Sequence, residues 1–312
     1  MSKIKIINKQ TILKRVLIIS LAISIDLYLS ILMANWSYSW LPIQASSAAP
    51  YVDNLFAFET AIGTFIFLGC TSVMGWVIIF NRAKKYDESD GEPIEGNVKL
   101  ELIWTIIPLL LVLGIATYST KVNITLQNLG EKQKFNPDEI PKSFVDKKIT
   151  SSVGPIDVIS RQWNWEFIYP EGIHSSELHL PVNKRVNLRL ISKDVIHSFY
   201  VPAFRLKQDI IPGSVISYSL TPTRTGRYRL RDAMFSGAYF SQNQTNVIVD
   251  SLDSYEKWIS STVKKEPENG LNPAFFLYKK RLEKGNKGWA TVAPAPSPMV
   301  NDPGNPSLPH ES

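Results

Sequence analysis

Cysteine is nearly absent from this sequence of 312 residues, which contains only Cys70. A lone cysteine excludes an intrachain disulfide, a Cys-x-x-Cys redox pair and a metal site built from several thiolates. The sequence also lacks a Walker loop, a dinucleotide-binding glycine motif and a zinc-protease helix, so the corresponding enzyme classes have no support. The net charge of +6 permits anionic partners without identifying one, and we expect no nucleic-acid partner.

Long apolar segments are confined to the first 120 residues. Residues 60–81 and 102–120 contain no charged side chain, and residues 16–33 contain only Asp26. A helix needs about 20 apolar residues to cross the roughly 30 Å hydrocarbon core of a bilayer. A buried helix of a soluble domain would normally carry a polar stripe over this length. The second and third segments are therefore predicted to span a membrane.

The first apolar segment allows two interpretations. A basic leader precedes it and small residues surround Gln44–Ser46, as in a cleaved signal peptide. Its apolar part is long for a signal peptide, and Trp36 and Trp40 follow it like residues of a membrane interface. We favour a retained signal-anchor helix. Because a charge is costly in lipid, Asp26 is predicted to face a neighbouring helix or a polar cavity.

The placement of lysine and arginine predicts the orientation of the helices. Residues 35–59 contain neither, whereas the leader contains five such residues and residues 81–99 contain four. Since these residues accumulate in cytoplasmic loops, the N-terminus and the loop at residues 81–99 are predicted to lie in the cytoplasm. The chain after Thr120 is predicted to lie outside it.

From Lys121 onward the pattern becomes that of an all-β domain. Residues Asp157–Tyr169 alternate between apolar and polar side chains, which predicts one half-buried strand. Turn sequences containing proline and glycine separate it from later alternating segments, as in a sandwich or barrel. These later segments are residues 186–190, 216–220 and 247–249.

The end of the chain is predicted to contain a closing helix and a disordered tail. Residues Asp253–Ile259 fit a short helix with Asp253 as N-cap. After about Lys265 the composition shifts towards proline, serine and asparagine. The predicted organisation is a leader, signal-anchor helix and exported loop at residues 1–55, a transmembrane hairpin at 56–121, a β domain at 122–262 and a tail at 263–312.

Short motifs occur in a fixed order along the chain. They are E-L-I-W-T-I-I-P at Glu101–Pro108, R-Q-W-N-W-E-F at Arg161–Phe167, D-V-I-H-S-F-Y-V-P at Asp194–Pro202 and K-Q-D-I-I-P-G at Lys207–Gly213. With these motifs the chain resembles subunit II of the haem–copper respiratory oxidases over about residues 50–262, and the cyanobacterial branch in particular. The resemblance implies a mixed membrane protein, in which N-terminal transmembrane α-helices precede an all-β cupredoxin-like sandwich.

In cytochrome c oxidases of this family the sandwich carries the dinuclear copper A centre. Its loop reads C-x-E-x-C-G-x-x-H-x-x-M after a G-x-Y, and Gly226–Tyr228 matches the G-x-Y. Of the side-chain ligands only His197 remains. The positions of the loop motif, taken in order, hold Asp232, Met234, Ser236, Phe240 and Asn243.

The loss of both loop cysteines argues against copper in this domain. Soft thiolates select copper, and a mononuclear blue-copper site also needs a cysteine. We therefore expect no metal and no cofactor in this chain. His197 is predicted to be a hydrogen-bonded residue of a sandwich loop. We predict that His174, His179 and His310 are surface residues.

A subunit II without copper resembles the quinol oxidases and the cyanobacterial alternative oxidases. The resemblance implies electron transfer from a membrane quinol to haems and copper B in subunit I, where oxygen is reduced, and it leaves proton pumping open. Arg227, Arg229 and Arg231 alternate, so a strand would present them on one face. Such a face disfavours docking of a basic cytochrome c, although an ordinary solvated face explains the pattern equally well.

Some residues of the family motifs are candidates for contacts with subunit I. Two aromatic residues of the first strand fit core or subunit-interface packing, and a lysine and an aspartate of the K-x-D motif fit a salt bridge across the interface. A glutamate and a tryptophan mark the start of the last span. These candidates are Glu101, Trp104, Trp163, Trp165, Lys207 and Asp209.

Two alternatives to a quinol oxidase subunit stay open. In the first, the chain is subunit II of an oxidase complex that takes electrons from a soluble cytochrome c. In the second, the chain is a membrane-tethered cupredoxin-like protein for assembly or binding. For an oxidase we expect subunits I and III and membrane lipid as partners. The expected location is a bacterial plasma or thylakoid membrane, with the β domain on the periplasmic or lumenal side.

Overall fold

The computed structural model describes residues 9–82, 86, 96–127, 152–285 and 292–305. The helices are α1 (Lys9–Ser37), α2 (Ala49–Phe80), α3 (Val98–Gln127), α4 (Leu252–Thr262) and α5 (Pro273–Glu283). The strands are β1 (Ser152–Arg161), β2 (Asn164–Ile168), β3 (His174–Ser175), β4 (Leu178–Pro181), β5 (Arg185–Ser192), β6 (His197–Val201), β7 (Leu206–Ile210), β8 (Val215–Leu220), β9 (Gly226–Asp232), β10 (Gln244–Asp250), β11 (Glu268–Asn269) and β12 (Met299–Val300).

The helices α1, α2 and α3 are long and apolar enough to cross a membrane. Most of their large apolar side chains are exposed within this chain, as expected for surfaces that face lipid or another subunit. Asp26 faces α2, because its Oδ2 would lie 3.6 Å from a Cβ placed on Gly69. The predictions for the second and third spans and for the direction of Asp26 are therefore confirmed.

The β domain is a sandwich of two five-stranded sheets. The first sheet has the order β3-β2-β1-β5-β8 and the second sheet the order β4-β10-β9-β6-β7. On β5 the side chains alternate between buried and half-buried, as the sequence pattern predicts. Apolar side chains from both sheets form one core, and these include Ile156, Val158, Phe167, Leu188, Leu190, Phe199, Leu230 and Val247.

The prediction of one strand over Asp157–Tyr169 is wrong. The chain reverses at Gln162 and Trp163, so that β1 and β2 pair antiparallel. Neither glutamine nor tryptophan is a typical turn residue, and the sequence therefore contains no local sign of this hairpin. On β2 the aromatic residues Trp165 and Phe167 are buried as predicted, but Asn164 and Glu166 are buried as well, so the strand is not half-buried.

The segment Pro42–Pro50, which connects α1 and α2, packs as part of the β-sandwich unit. Its Ala45 is fully buried, donates its N–H to the Ala203 carbonyl at 3.0 Å and accepts from the Thr223 N–H at 2.9 Å. The Ser46 hydroxyl donates to the Phe204 carbonyl at 2.8 Å. This loop and the sandwich therefore lie on the same side of the membrane, in agreement with the predicted topology.

The closing helix exists, but its cap differs from the prediction. Ser251 rather than Asp253 is the N-cap of α4, and its Oγ accepts the Ser254 N–H at 3.2 Å. The shift of two residues is within the usual uncertainty of helix ends.

The predicted disorder of the tail at residues 263–312 is wrong for its described part. There β11 pairs with β12, and α5 lies between them in sequence. Asn272 caps α5 with its Oδ1 and donates its side-chain amide to the Ala295 carbonyl at 2.6 Å. Such asparagine contacts satisfy backbone groups that composition alone does not reveal. Residues 286–291 and 306–312 of the tail lie outside the described residues.

Candidate functional site

The residues that align with copper ligands converge at one end of the second sheet. His197 begins β6 and Asp232 ends β9, and these two strands are neighbours in the sheet. The connection from β9 to β10 supplies Ser236 and Asn243. All four side chains are buried, so the sequence alignment with the copper loop correctly places them together.

An imidazole lies between two carboxylates at the centre of this site. The His197 Nδ1 is 2.6 Å from the Asp232 Oδ2, and the His197 Nε2 is 2.8 Å from the Asp194 Oδ1. The His197 side chain has no exposed surface. Both ring nitrogens donate only in the protonated form of histidine. We call Asp194, His197 and Asp232 the Asp–His–Asp cluster.

The Asp232 carboxylate accepts further hydrogen bonds from the residues around it. Its Oδ1 accepts the N–H groups of Ser198 at 2.8 Å and Met234 at 3.1 Å. Its Oδ2 accepts from the Ser236 hydroxyl at 2.9 Å and from the Asn243 amide at 3.1 Å. A buried carboxylate is tolerated only when it is paired and hydrogen-bonded in this way.

The electrostatics of the cluster favour the charged form of each member. Burial would lower the pKa of His197, but hydrogen bonds to Asp194 and Asp232 outweigh it and raise this pKa above its usual value. Burial would raise the pKa of Asp232 and of Asp194. In both, hydrogen bonds from His197 and from backbone N–H groups together outweigh burial and hold the pKa below its usual range.

This donor set does not fit a thiolate-bridged copper pair. The positions of the two cysteines hold Asp232 and Ser236, and both nitrogens of His197 already contact carboxylates. Met234 and Phe240 are half-buried, and the Phe240 ring has no ligand atom and packs on Phe235 with a centroid distance of 5.2 Å. Among the described residues, no group of three or more His, Cys, Asp or Glu could hold a metal ion.

Two tryptophans adjoin the cluster and are buried within this chain. The Trp165 Nε1 donates to the Asn243 carbonyl at 3.1 Å. Trp163 has no exposed surface and packs on Tyr239, with a centroid distance of 5.3 Å, and on Ala274 of α5. The interpretation as core packing is confirmed. Trp163 is covered by the tail and Trp165 is enclosed by the sandwich, and their packing against subunit I stays a prediction.

Of the remaining interface candidates, Glu101, Trp104 and Lys207 are exposed and Asp209 is half-buried. Glu101 lies in the first turn of α3, where a carboxylate is favourable, and Trp104 is 64% exposed. The Lys207 Nζ is 3.4 Å from the Asp209 Oδ1 on the same strand. This pair therefore exists within the chain, and a contact with another subunit stays a prediction.

His179 forms a second charged cluster, which sequence reasoning missed. It was predicted to be a surface residue, yet its Nδ1 is 3.1 Å from the Asp250 Oδ2 and its Nε2 is 3.4 Å from the Asp302 Oδ2. Its ring stacks on Trp258 at 4.0 Å. His179, Asp250 and Asp302 are far apart in sequence, so no local sequence pattern predicts these contacts. His174 is partly exposed and contacts Glu166, while His310 lies outside the described residues.

The His179 cluster ties the tail to the sandwich. Burial would lower the pKa of His179, but Asp250 and Asp302 raise it. Burial would raise the pKa of Asp302, but hydrogen bonds from His179, Trp258 and the Gly304 N–H lower it to about 2. The contacts of Asp302 with His179 and Trp258 therefore link the tail to the sandwich and to α4.

The fold and site together define a membrane-anchored cupredoxin-like domain with an altered copper loop. Residues 34–122 match the family described as "Cytochrome C oxidase subunit II, transmembrane domain", and residues 173–251 match "Cytochrome C oxidase subunit II, periplasmic domain". The tail after residue 251 lies beyond the matched range.

Curated relatives of known name agree with these matches. Cytochrome c oxidase subunit 2 of Thermostichus vulcanus is 37% identical over 70% of this chain and 77% of its own length. Cytochrome c oxidase subunit 2 of Synechocystis is 30% identical over 81% of this chain and 84% of its own length. Quinol oxidase subunit 2 of Bacillus cereus is 26% identical over 62% of each chain. The chain belongs to the subunit II family of the haem–copper oxidases.

Membership in this family sets the general role of the protein. It is subunit II of a haem–copper terminal oxidase complex, in which subunit I is its partner. It is a membrane protein, and its β domain lies outside the cytoplasm.

Proposed function

We propose that this chain is subunit II of a terminal oxidase that lacks copper A and takes electrons from a membrane quinol. The replacement of both bridging cysteines by Asp232 and Ser236, within a fully hydrogen-bonded Asp–His–Asp cluster, carries this proposal. Without copper, a soluble donor has no electron acceptor in this domain. A quinol reaches subunit I from within the bilayer and needs no electron acceptor in the β domain.

In this role the chain supports the enzyme without holding a cofactor. The haems and copper B that reduce oxygen belong to subunit I, and the apolar surfaces of α1, α2 and α3 suit packing against the membrane subunits I and III. The complex sits in a bacterial plasma or thylakoid membrane. Coupling to proton pumping is part of the proposal for the complex as a whole.

The surroundings of Trp163 support a quinol donor. In relatives with copper, an aromatic residue in this segment lies between the soluble donor and the metal. Here Trp163 is fully buried beneath Ala274 of α5 and beside Tyr239. The basic row of Arg227, Arg229 and Arg231 on β9 further disfavours a basic cytochrome c.

A soluble cytochrome is the second candidate donor. It is favoured by the names of the two cyanobacterial relatives, both cytochrome c oxidase subunit 2, which are more similar to this chain than the quinol oxidase subunit is. A tethered protein for assembly or binding, without an oxidase partner, is disfavoured by membership in the subunit II family.

The test compares electron donors with the purified oxidase complex. At equal oxygen concentration, oxygen consumption with a short-chain quinol should exceed that with reduced basic or acidic cytochrome c. The full-length chain produced without subunit I in copper-containing medium should hold no copper. Its control is a variant with Asp232→Cys, Met234→Glu, Ser236→Cys, Phe240→His and Asn243→Met, which should bind copper and absorb in the near infrared. A preference for cytochrome, or copper in the unaltered chain, contradicts the proposal.

A further inference from the structure

Helix α5 presents large apolar side chains on the surface that faces away from the sandwich. Its inner side packs through Ala274 and Tyr278 against the cluster of Trp163 and Tyr239. Soluble domains rarely expose apolar side chains so densely unless the surface binds something. The exposed fractions are 38% for Phe275, 58% for Phe276, 44% for Leu277 and 57% for Leu282.

Basic residues alternate with these apolar side chains. Residues three and four apart lie along one side of a helix. Two adjacent rows of side chains thus cover the outward surface of α5 and the residue that follows it. One row consists of Phe275, Lys279 and Leu282, and the other of Phe276, Lys280 and Lys284. With Arg281, the segment from Pro273 to Lys284 contains four basic residues and a single acidic one, Glu283.

This combination fits a lipid surface better than a protein surface. Lysine is depleted in protein interfaces, because its long side chain loses much freedom there. In a bilayer interface the apolar stem of lysine lies along the acyl chains while its charge reaches the headgroups. Phenylalanine and leucine beside lysine are typical of helices that lie in the membrane surface.

The chain that carries this domain is also anchored in a membrane. The same chain contains three helices that are long and apolar enough to span a bilayer. Attachment to the bilayer raises the effective concentration of lipid for any weak site on the β domain. A modest affinity of α5 for lipid is therefore sufficient for steady contact.

We propose that α5 binds the bilayer surface and recognises anionic lipid headgroups. Phe275, Phe276 and Leu282 enter the boundary between headgroups and acyl chains, and Lys279, Lys280 and Lys284 contact the anionic headgroups. The inner side of the same helix covers Trp163. Lipid binding on one side and sandwich packing on the other hold this part of the tail between two surfaces.

The test uses the full chain in lipid nanodiscs. Cys70→Ser removes the lone cysteine, and Phe276→Cys then carries a nitroxide spin label. In nanodiscs of equal parts phosphatidylcholine and phosphatidylglycerol, the label should become accessible to oxygen and shielded from a water-soluble nickel chelate. A label at Phe235→Cys, at an exposed phenylalanine outside α5, should stay accessible to nickel.

Charge reversal separates headgroup recognition from apolar contact alone. Changing Lys279, Lys280 and Lys284 to Glu should return the Phe276→Cys label to water, with a loss of roughly fivefold in lipid affinity for each lysine removed. The same reversal at the exposed lysines Lys257, Lys264 and Lys265 is the charge-matched control and should have no effect. Equal shielding in phosphatidylcholine alone, or shielding only when other oxidase subunits are present, overturns the proposal.

Discussion

His197 shows how a buried histidine can be held between two carboxylates. Next to the loop that aligns with the copper loop of the family, this chain has an imidazole between Asp194 and Asp232. Burial of charge is costly, and the cost is offset only when each charged atom has a partner. The Ser198 and Met234 N–H groups complete the set around Asp232.

Substitution of His197 should change how stability depends on pH. The raised pKa of His197 contributes stability that is complete below its usual value of about 6.5 and is lost as pH rises through the raised value. The lowered pKa values of Asp194 and Asp232 contribute stability above about pH 4, and this is lost in more acidic solution. His197→Gln should lose about 3–5 kcal/mol near pH 6 and show a flatter decline towards pH 9.

The measurement is denaturant unfolding of the full chain, followed by tryptophan fluorescence across this pH range. His174→Gln is the matched control, because this histidine is partly exposed and contacts only one carboxylate. Parallel pH profiles for the unaltered chain and His197→Gln would show that the imidazole is neutral in the folded state.

For single residues, the sequence predicted which positions surround His197 but not all of the hydrogen bonds that they form. Alignment with the copper loop placed Asp232, Ser236 and Asn243 around His197, and the prediction of a hydrogen-bonded histidine is confirmed. The role of Asp194 was missed. It depends on the bend before β6, which turns the carboxylate back onto the ring three residues away.

Among the elements, regular strands were predictable and their connections were not. The alternation of β5, β8 and β10 follows from one face packing on a core, which is a local property of the sequence. The reversal at Gln162 and Trp163 depends on distant residues instead. Gln162 accepts a hydrogen bond from the Ala295 N–H of the tail and donates to the Ser236 carbonyl.

Docking of the tail should depend on the ion pair between Asp302 and His179. Asp302→Asn removes a charge-assisted contact of about 1.5–3 kcal/mol while keeping the shape of the side chain. Amide exchange of residues 295–302 should then accelerate roughly ten- to hundredfold, because 1.4 kcal/mol corresponds to a factor of ten. Hydrogen-exchange mass spectrometry of the full chain measures this.

Asp253→Asn on the exposed side of α4 is the control for this experiment, since it removes a carboxylate that does not contact the tail cluster. Unchanged exchange in Asp302→Asn would assign tail docking to β11, β12 and the Asn272 contacts alone.

For the whole molecule, hydropathy predicted the membrane spans, and the distribution of lysine and arginine predicted on which side of the membrane the β domain lies. The packing of Pro42–Pro50 with the sandwich adds an independent constraint, because a connecting loop cannot reach a domain across the bilayer. The order of the tail was not predictable, since it arises from contacts between segments that are distant in sequence.

Protease treatment of intact spheroplasts tests this orientation. The β domain after α3 should be digested from outside, and the loop at residues 81–99 should be cut only in inverted vesicles. An antibody against a cytoplasmic protein serves as the control for membrane integrity. Protection of the β domain in spheroplasts would reverse the predicted topology.

The burial of Ala45 bears on how the chain is processed during export. The bond between Ala45 and Ser46 lies inside the region that resembles a signal-peptidase site, yet both residues are enclosed by the folded domain. Cutting there would detach Ala45 from the Ala203 carbonyl and create a charged amino terminus beside the Phe204 carbonyl. Because both residues contribute to the folded domain, we predict that α1 is retained as an anchor, and an intact N-terminus on the mature chain would show this.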